Sequence, residues 1–187
     1  MALLSESGIA PGLLLAMPQL LDPNFQRAVV LMVEHGDEGS FGLVLNRPTP
    51  VEVARVLETL QLEWCGDPDA TVWSGGPVSP RSGWVIHEPV GGAVPPGLEV
   101  APGLMLSTSP EQLKLLAAEP PPRLRFLMGY AGWGGGQLEF ELAEGAWVHA
   151  DVEPDLIFGT HPDELWAAIL ASIGIQPASL VPGTGVH

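Results

Sequence analysis

AVVLMVEHGDEGSFGLVLNRP, residues Ala28 to Pro48, decides the fold. Two short apolar runs rich in β-branched residues, Ala28–His35 and Ser40–Pro48, flank the turn formers Gly36-Asp37-Glu38-Gly39. That combination predicts an antiparallel hairpin. Val29 to Val33 is apolar at every position, with no alternation, so the first strand should be covered on both faces.

Working outward, Gly12–Pro18 (GLLLAMP) is an apolar run closed by proline and reads as a strand. Thr71–Trp73, Gly83–His87, Leu104–Ser107, Arg125–Tyr130 and Ala146–Ala150 are further strand candidates. Three segments carry helix-start chemistry: Thr49-Pro50-Val51-Glu52, Ser109-Pro110-Glu111-Gln112 and Thr160-His161-Pro162-Asp163. In each, a hydroxyl residue followed by Pro and an acid or amide can satisfy orphaned backbone N–H groups, for about 1 kcal/mol per cap. The third helix places Leu165, Ile169 and Ile173 on one stripe and ends at Gly174. Strands and helices do not alternate strictly, which predicts an α/β chain with a mixed sheet and helices packed outside it. The length of 187 residues suits a single domain, with residues 1–10 a loose leader and the Gly/Pro-rich loop 90–97 a candidate boundary between lobes.

Charge narrows the partners. Twenty-two acids against seven bases give a formal net charge of -15, and the bases, Lys114 and six arginines, are scattered along the chain. A duplex-binding protein neutralises about 6–10 phosphates with clustered cations. Direct nucleic-acid binding and adhesion to an anionic membrane are therefore disfavoured. Cys65 is the lone cysteine, so neither an internal disulfide nor a CxxC metal motif exists. No Lys or Arg precedes Arg27, and Pro11 and Pro18 interrupt the N-terminal apolar run, which argues against a signal peptide. The expected location is the cytoplasm.

Two glycine turns stand out as ligand candidates. Gly134-Gly135-Gly136 sits between a strand and the helix-forming QLEFELAEG, where exposed N–H groups could hold an anion, or where glycine simply lets the chain turn tightly. Gly75-Gly76, ahead of Pro77, offers the same pair of readings. Neither fits a nucleotide fingerprint, since GxxxxGK[ST] and GxGxxG are both absent. Asn46 and Arg47 end the second hairpin strand, and an arginine there is an oxyanion partner or half of an ion pair. His87 ends a strand of its own. No GxSxG elbow or HExxH pair occurs, and the acids flanking Cys65 would raise its pKa, so no catalytic residue, metal ligand or cofactor is nominated.

Gly12–Pro48, GGPV at Gly75–Val78, GWVIH at Gly83–His87, GYAGWGGGQLEFEL at Gly129–Leu142 and LIFGTHPDELWAAILASIGI at Leu156–Ile175 together resemble the YqgE/AlgH family of bacterial proteins. The chain departs from that pattern at Gly135, where a proline or another small residue is usual. The resemblance implies one cytoplasmic α/β domain, with a mixed, largely antiparallel sheet curled into a partial barrel and helices outside. One branch of the family carries the label of transcriptional regulator, linked to alginate control, and no catalytic residue or cofactor comes with it. Three functions are consistent with the residues. The first is a non-enzymatic regulatory or binding protein for a small anionic ligand or a protein partner, with Asn46, Arg47, Gly75, Gly76, His87, Gly134, Gly135 and Gly136 as its binding candidates. The second is a transcriptional regulator acting on DNA, directly or through a partner. The third is an enzyme with a crevice where Asn46, Arg47 and His87 converge.

Overall fold

A computed structural model describes residues 8–91 and 97–180. Most of the loop 90–97 and of the expected leader 1–10 therefore lies outside the described residues. The contacts divide the chain into two compact units, one made of residues up to Asn46 with those from Ala131 onward, the other Arg47–Tyr130.

The first unit is built on the hairpin. Strands β1 (Gly12–Ala16), β2 (Val29–Gly36) and β3 (Gly39–Val44) pair antiparallel, and β10 (Trp147–Ala150) adds to β1. The last residues of β9 (Leu124–Gly134) pair with β3, from Gly42↔Ala131 to Gly39↔Gly134. Val29, Val30, Leu31 and Met32 are fully buried, as the unbroken apolar run predicts. Each such side chain contributes about 1.5–3 kcal/mol by leaving water. Beyond the end of β3 the ladder continues through a side chain. Asn46 Oδ1 accepts from Val29 N–H at 3.0 Å and Asn46 Nδ2 donates to the Arg27 carbonyl at 2.9 Å, beside a Leu45 N–H bond to the Val29 carbonyl.

Helices α3 (Gln137–Ala143), α4 (Pro154–Gly159) and α5 (Pro162–Ser172) belong to this unit. α5 begins one residue later than its sequence suggests. His161 is its N-cap, with Nδ1 accepting from Asp163 N–H, because Thr160 already serves as the C-cap of α4. Its buried face is Leu165, Trp166, Ile169 and Leu170, and Trp166 Nε1–H donates to the Ala16 carbonyl at 2.9 Å. Ile173, expected on that stripe, is the C-cap and is exposed, and Gly174 at φ 83° follows it.

In the second unit, the first part of β9 pairs antiparallel with β6 (Val78–His87), which pairs with β8 (Leu104–Ser107), and β8 with β7 (Leu98–Ala101). On its other side β9 pairs parallel with β5 (Thr71–Ser74), which pairs antiparallel with β4 (Pro48–Glu52). This parallel pair makes the sheet mixed, in a chain that is otherwise antiparallel among the described residues. Thr49 does not cap a helix: it lies in β4, and its Oγ1 donates to the Val72 carbonyl at 2.6 Å. Prolines 48 and 50 lack an N–H, so they fit an edge strand as well as a helix start. Helix α1 (Val53–Thr59) begins after Glu52, without a side-chain cap. α2 (Pro110–Ala118) has the full capping box from Ser109 and Gln112. Val53, Leu57, Val72, Val85, Leu116 and Phe126 form the core of this unit. A mixed, largely antiparallel sheet with five helices is the α/β class that the sequence implies.

Candidate functional site

Within the second unit lies a cleft of about 920 Å³, inside the 300–1,000 Å³ range of small-molecule sites. Its floor comes from β6 and β9, where Val85 and Leu127 are buried, and one wall is the apolar face of α1, with Val53, Val56 and Leu57. That face exists because valine and leucine recur at 53, 56, 57 and 60, the spacing of one helical stripe. α2 contributes Leu113 and Lys114.

Three cations line this cleft: Arg55 from α1, Arg81 from β6 and Lys114 from α2. They are three of only seven in the chain, and among the described residues no Asp or Glu lines the cleft. Arg55 Nε lies 4.0 Å from Glu52, but both side chains are largely exposed, so the pair does little to neutralise it. In a chain of net charge -15 this is a local reversal of sign over an apolar surface. Low-dielectric walls strengthen the field of such cations within the hollow. Chemically, the cleft can hold an anion whose body is apolar. The sequence gives no hint of it, because 55, 81 and 114 are far apart in the chain and only the fold brings them to one cleft.

The residues nominated from sequence lie elsewhere. Asn46 is buried, and its amide is spent on the hairpin backbone described above. Arg47 and Gly75-Gly76 both lie in the second unit, where Arg47 bonds through its backbone to the residue before the glycine pair. Ser74 N–H donates to the Arg47 carbonyl at 2.8 Å, and Gly75 N–H to the Met128 carbonyl at 2.7 Å. Burial lowers the Arg47 pKa from its ordinary value. Gly129, at φ 81°, has no room for a side chain: a Cβ there would stand 2.4 Å from the Gly76 carbonyl oxygen. His87 sits opposite Leu124, five positions along β9 from Gly129, roughly 16 Å of extended strand. It is buried, with Nδ1 2.7 Å from the Glu88 carbonyl and Nε2 2.8 Å from Ser107 Oγ. Burial lowers its pKa, against a smaller upward pull from Glu88.

The triple glycine lies in the first unit and behaves as a packing turn. A Cβ on Gly135 would stand 2.5 Å from the Asp37 carbonyl oxygen, Gly136 adopts φ 78°, and Gly134 N–H donates to Gln137 Oε1 at 3.1 Å. Beyond it, Glu141 Oε2 accepts from the indole N–H groups of both Trp133 and Trp147, at 2.9 and 2.8 Å. His35 bridges Ser40 Oγ at 2.6 Å and Glu139 Oε1 at 3.1 Å, closing the hairpin turn against α3.

The chain matches a family model described as AlgH-like across residues 13–178. A UPF0301 protein of Myxococcus xanthus is 44% identical over 180 residues, covering 96% of this chain and 98% of its own. One of Photobacterium profundum is 40% identical over 174 residues, covering 89% and 92%. Among solved structures, the AlgH protein of Pseudomonas aeruginosa superposes with a TM-score of 0.73 at 34% identity over the whole of both chains. A Corynebacterium diphtheriae protein superposes with a TM-score of 0.72 at 25% identity, over 92% and 89%.

Proposed function

The chain belongs to the AlgH-like family, and from its cleft we propose that it is a non-enzymatic binding protein that recognises a small anion in the unit Arg47–Tyr130. One observation carries the reading: Arg55, Arg81 and Lys114 line an apolar hollow that, among the described residues, no carboxylate lines. A regulatory protein needs a ligand whose occupancy it can report, and a cleft floored by the central strand β9 is placed for that. The site replaces the glycine turns as the favoured location, because packing and backbone pairing account for Asn46, Gly129 and Gly135. It also suits the charge balance. A carboxylate or phosphate is drawn to three local cations, whereas a polynucleotide would need a continuous basic surface. In this reading the protein acts in the cytoplasm, where small anionic metabolites are abundant.

The test is a thermal-shift series with simple anions, nucleotides, phosphorylated sugars and carboxylates, run on the wild type and on the Arg55→Glu/Arg81→Glu/Lys114→Glu variant. A ligand at 100 times its Kd adds about 2.7 kcal/mol, which at this chain length raises Tm by roughly 5–10 °C. Stabilisation by at least one anion, lost in the variant, is the expected result. No stabilisation of the wild type at millimolar concentrations rejects the proposal.

A further inference from the structure

Resting on that reading, we infer that the anion is a single-chain aliphatic amphiphile, a linear alkyl chain ending in a carboxylate or similar head, with its tail along α1 and its head between Arg81 and Lys114. The lining is the first argument. Val53, Val56, Leu57, Val85, Phe126 and Met128 present hydrocarbon to the hollow, and its polar side chains are few. Of the three hydroxyls there, two are engaged: Thr59 Oγ1 donates to the Val56 carbonyl at 2.6 Å, and Ser107 Oγ is bonded to His87, while Thr108 lies exposed. A nucleotide or a sugar phosphate presents a base edge or several hydroxyls, more polar groups than this largely hydrocarbon lining can pair, and the remainder would be desolvated at a cost. An alkyl chain asks for no partner.

The mouth is the second argument. Val51 and Leu60 both line the cleft and are 45% and 55% exposed, so the apolar surface continues from the floor to the rim. A compact anion would contact only the cations and leave that surface in water. A chain covers it, at about 0.8 kcal/mol for each methylene buried. The third argument is the position of the charges. Arg55, Arg81 and Lys114 are all exposed, so a head group among them keeps its hydration and pays little desolvation, while the tail alone enters the dry part.

The experiment is isothermal titration of the intact chain with octanoate, dodecanoate, dodecanol and dodecyltrimethylammonium below their micellar concentrations, with glucose 6-phosphate and phosphatidylglycerol vesicles as comparison arms. The inference expects dodecanoate to bind on the order of a hundredfold more tightly than octanoate. Dodecanol should bind at least tenfold more weakly than dodecanoate, and the cationic amphiphile not measurably. Arg81→Glu/Lys114→Glu, two exposed positions, should weaken dodecanoate at least tenfold with Tm retained, and Met128→Glu should abolish binding. Should Met128→Glu fail to fold, the chain-length series on the wild type still decides. Glucose 6-phosphate binding as tightly as dodecanoate, with no dependence on chain length, overturns this inference and leaves the anion site standing. Sedimentation with vesicles but no binding of monomeric dodecanoate also overturns it. Failure of every anion overturns both.

Discussion

Single residues here divide into those whose role the sequence announces and those whose role needs a partner distant in the chain. Gly129 is of the second kind, and Gly136 supplies the contrast. Both sit in the left-handed region, at φ 81° and 78°, but only Gly129 is packed, with the Gly76 carbonyl oxygen where a Cβ would go. Gly129→Ala should therefore lower stability by about 3 kcal/mol, and Gly136→Ala by about 1, in denaturant melts. Equal costs would show that backbone strain alone matters. His87 makes a pH prediction. Its folded pKa is lowered mainly by burial, so the unfolded chain takes up a proton first as pH falls. The stability that neutral His87 contributes is present above the unfolded value of about 6.5 and is lost as pH falls from there through the lower folded value. Melts between pH 7.5 and 5 should show that loss in the wild type and a shallower slope in His87→Gln. A parallel slope in the variant contradicts the assignment. None of this was readable in advance, since a strand-terminal histidine and a glycine look alike whether they face a ligand or a carbonyl.

At the scale of elements the sequence was more informative. Apolar runs, turn formers and cap residues located the hairpin β2–β3, strands β1, β5, β6, β8 and β10, the first part of β9, and the capping box of α2, because each is determined by neighbours in the chain. Thr49 misled because Thr-Pro suits an edge strand as well as an N-cap, and pairing with β5 decided between them. In the strand β7, Leu98–Ala101, Glu99 breaks the apolar run, and the helix α4 spans only six residues, fewer than two turns, so neither announces itself. α3 is held by Glu141, which receives two indole N–H groups from β9 and β10. Glu141→Ala leaves both donors without their acceptor and should cost about 3 kcal/mol, with a change in tryptophan fluorescence on thermal unfolding. A loss below 0.5 kcal/mol would mean that water replaces the carboxylate at both indoles.

For the molecule as a whole, the charge balance was legible at once and the site was not. Net charge follows from counting, whereas the lining of one cleft by Arg55, Arg81 and Lys114 depends on three elements distant in the chain. The same counting makes a prediction: a gel-shift titration at low salt should show no binding to random or promoter duplex at micromolar protein, and a salt-sensitive shift would reverse it. The central claim is that a cluster of cations over hydrocarbon, within Arg47–Tyr130, is the binding site. Amide and indole chemical shifts followed by NMR while octanoate is added test it most directly. The account predicts saturable changes confined to α1, the middle of β6, the start of α2 and Phe126–Met128 of β9, with Gly134–Gly136 unmoved. Changes centred on the triple glycine, or none anywhere at saturating octanoate, would contradict it.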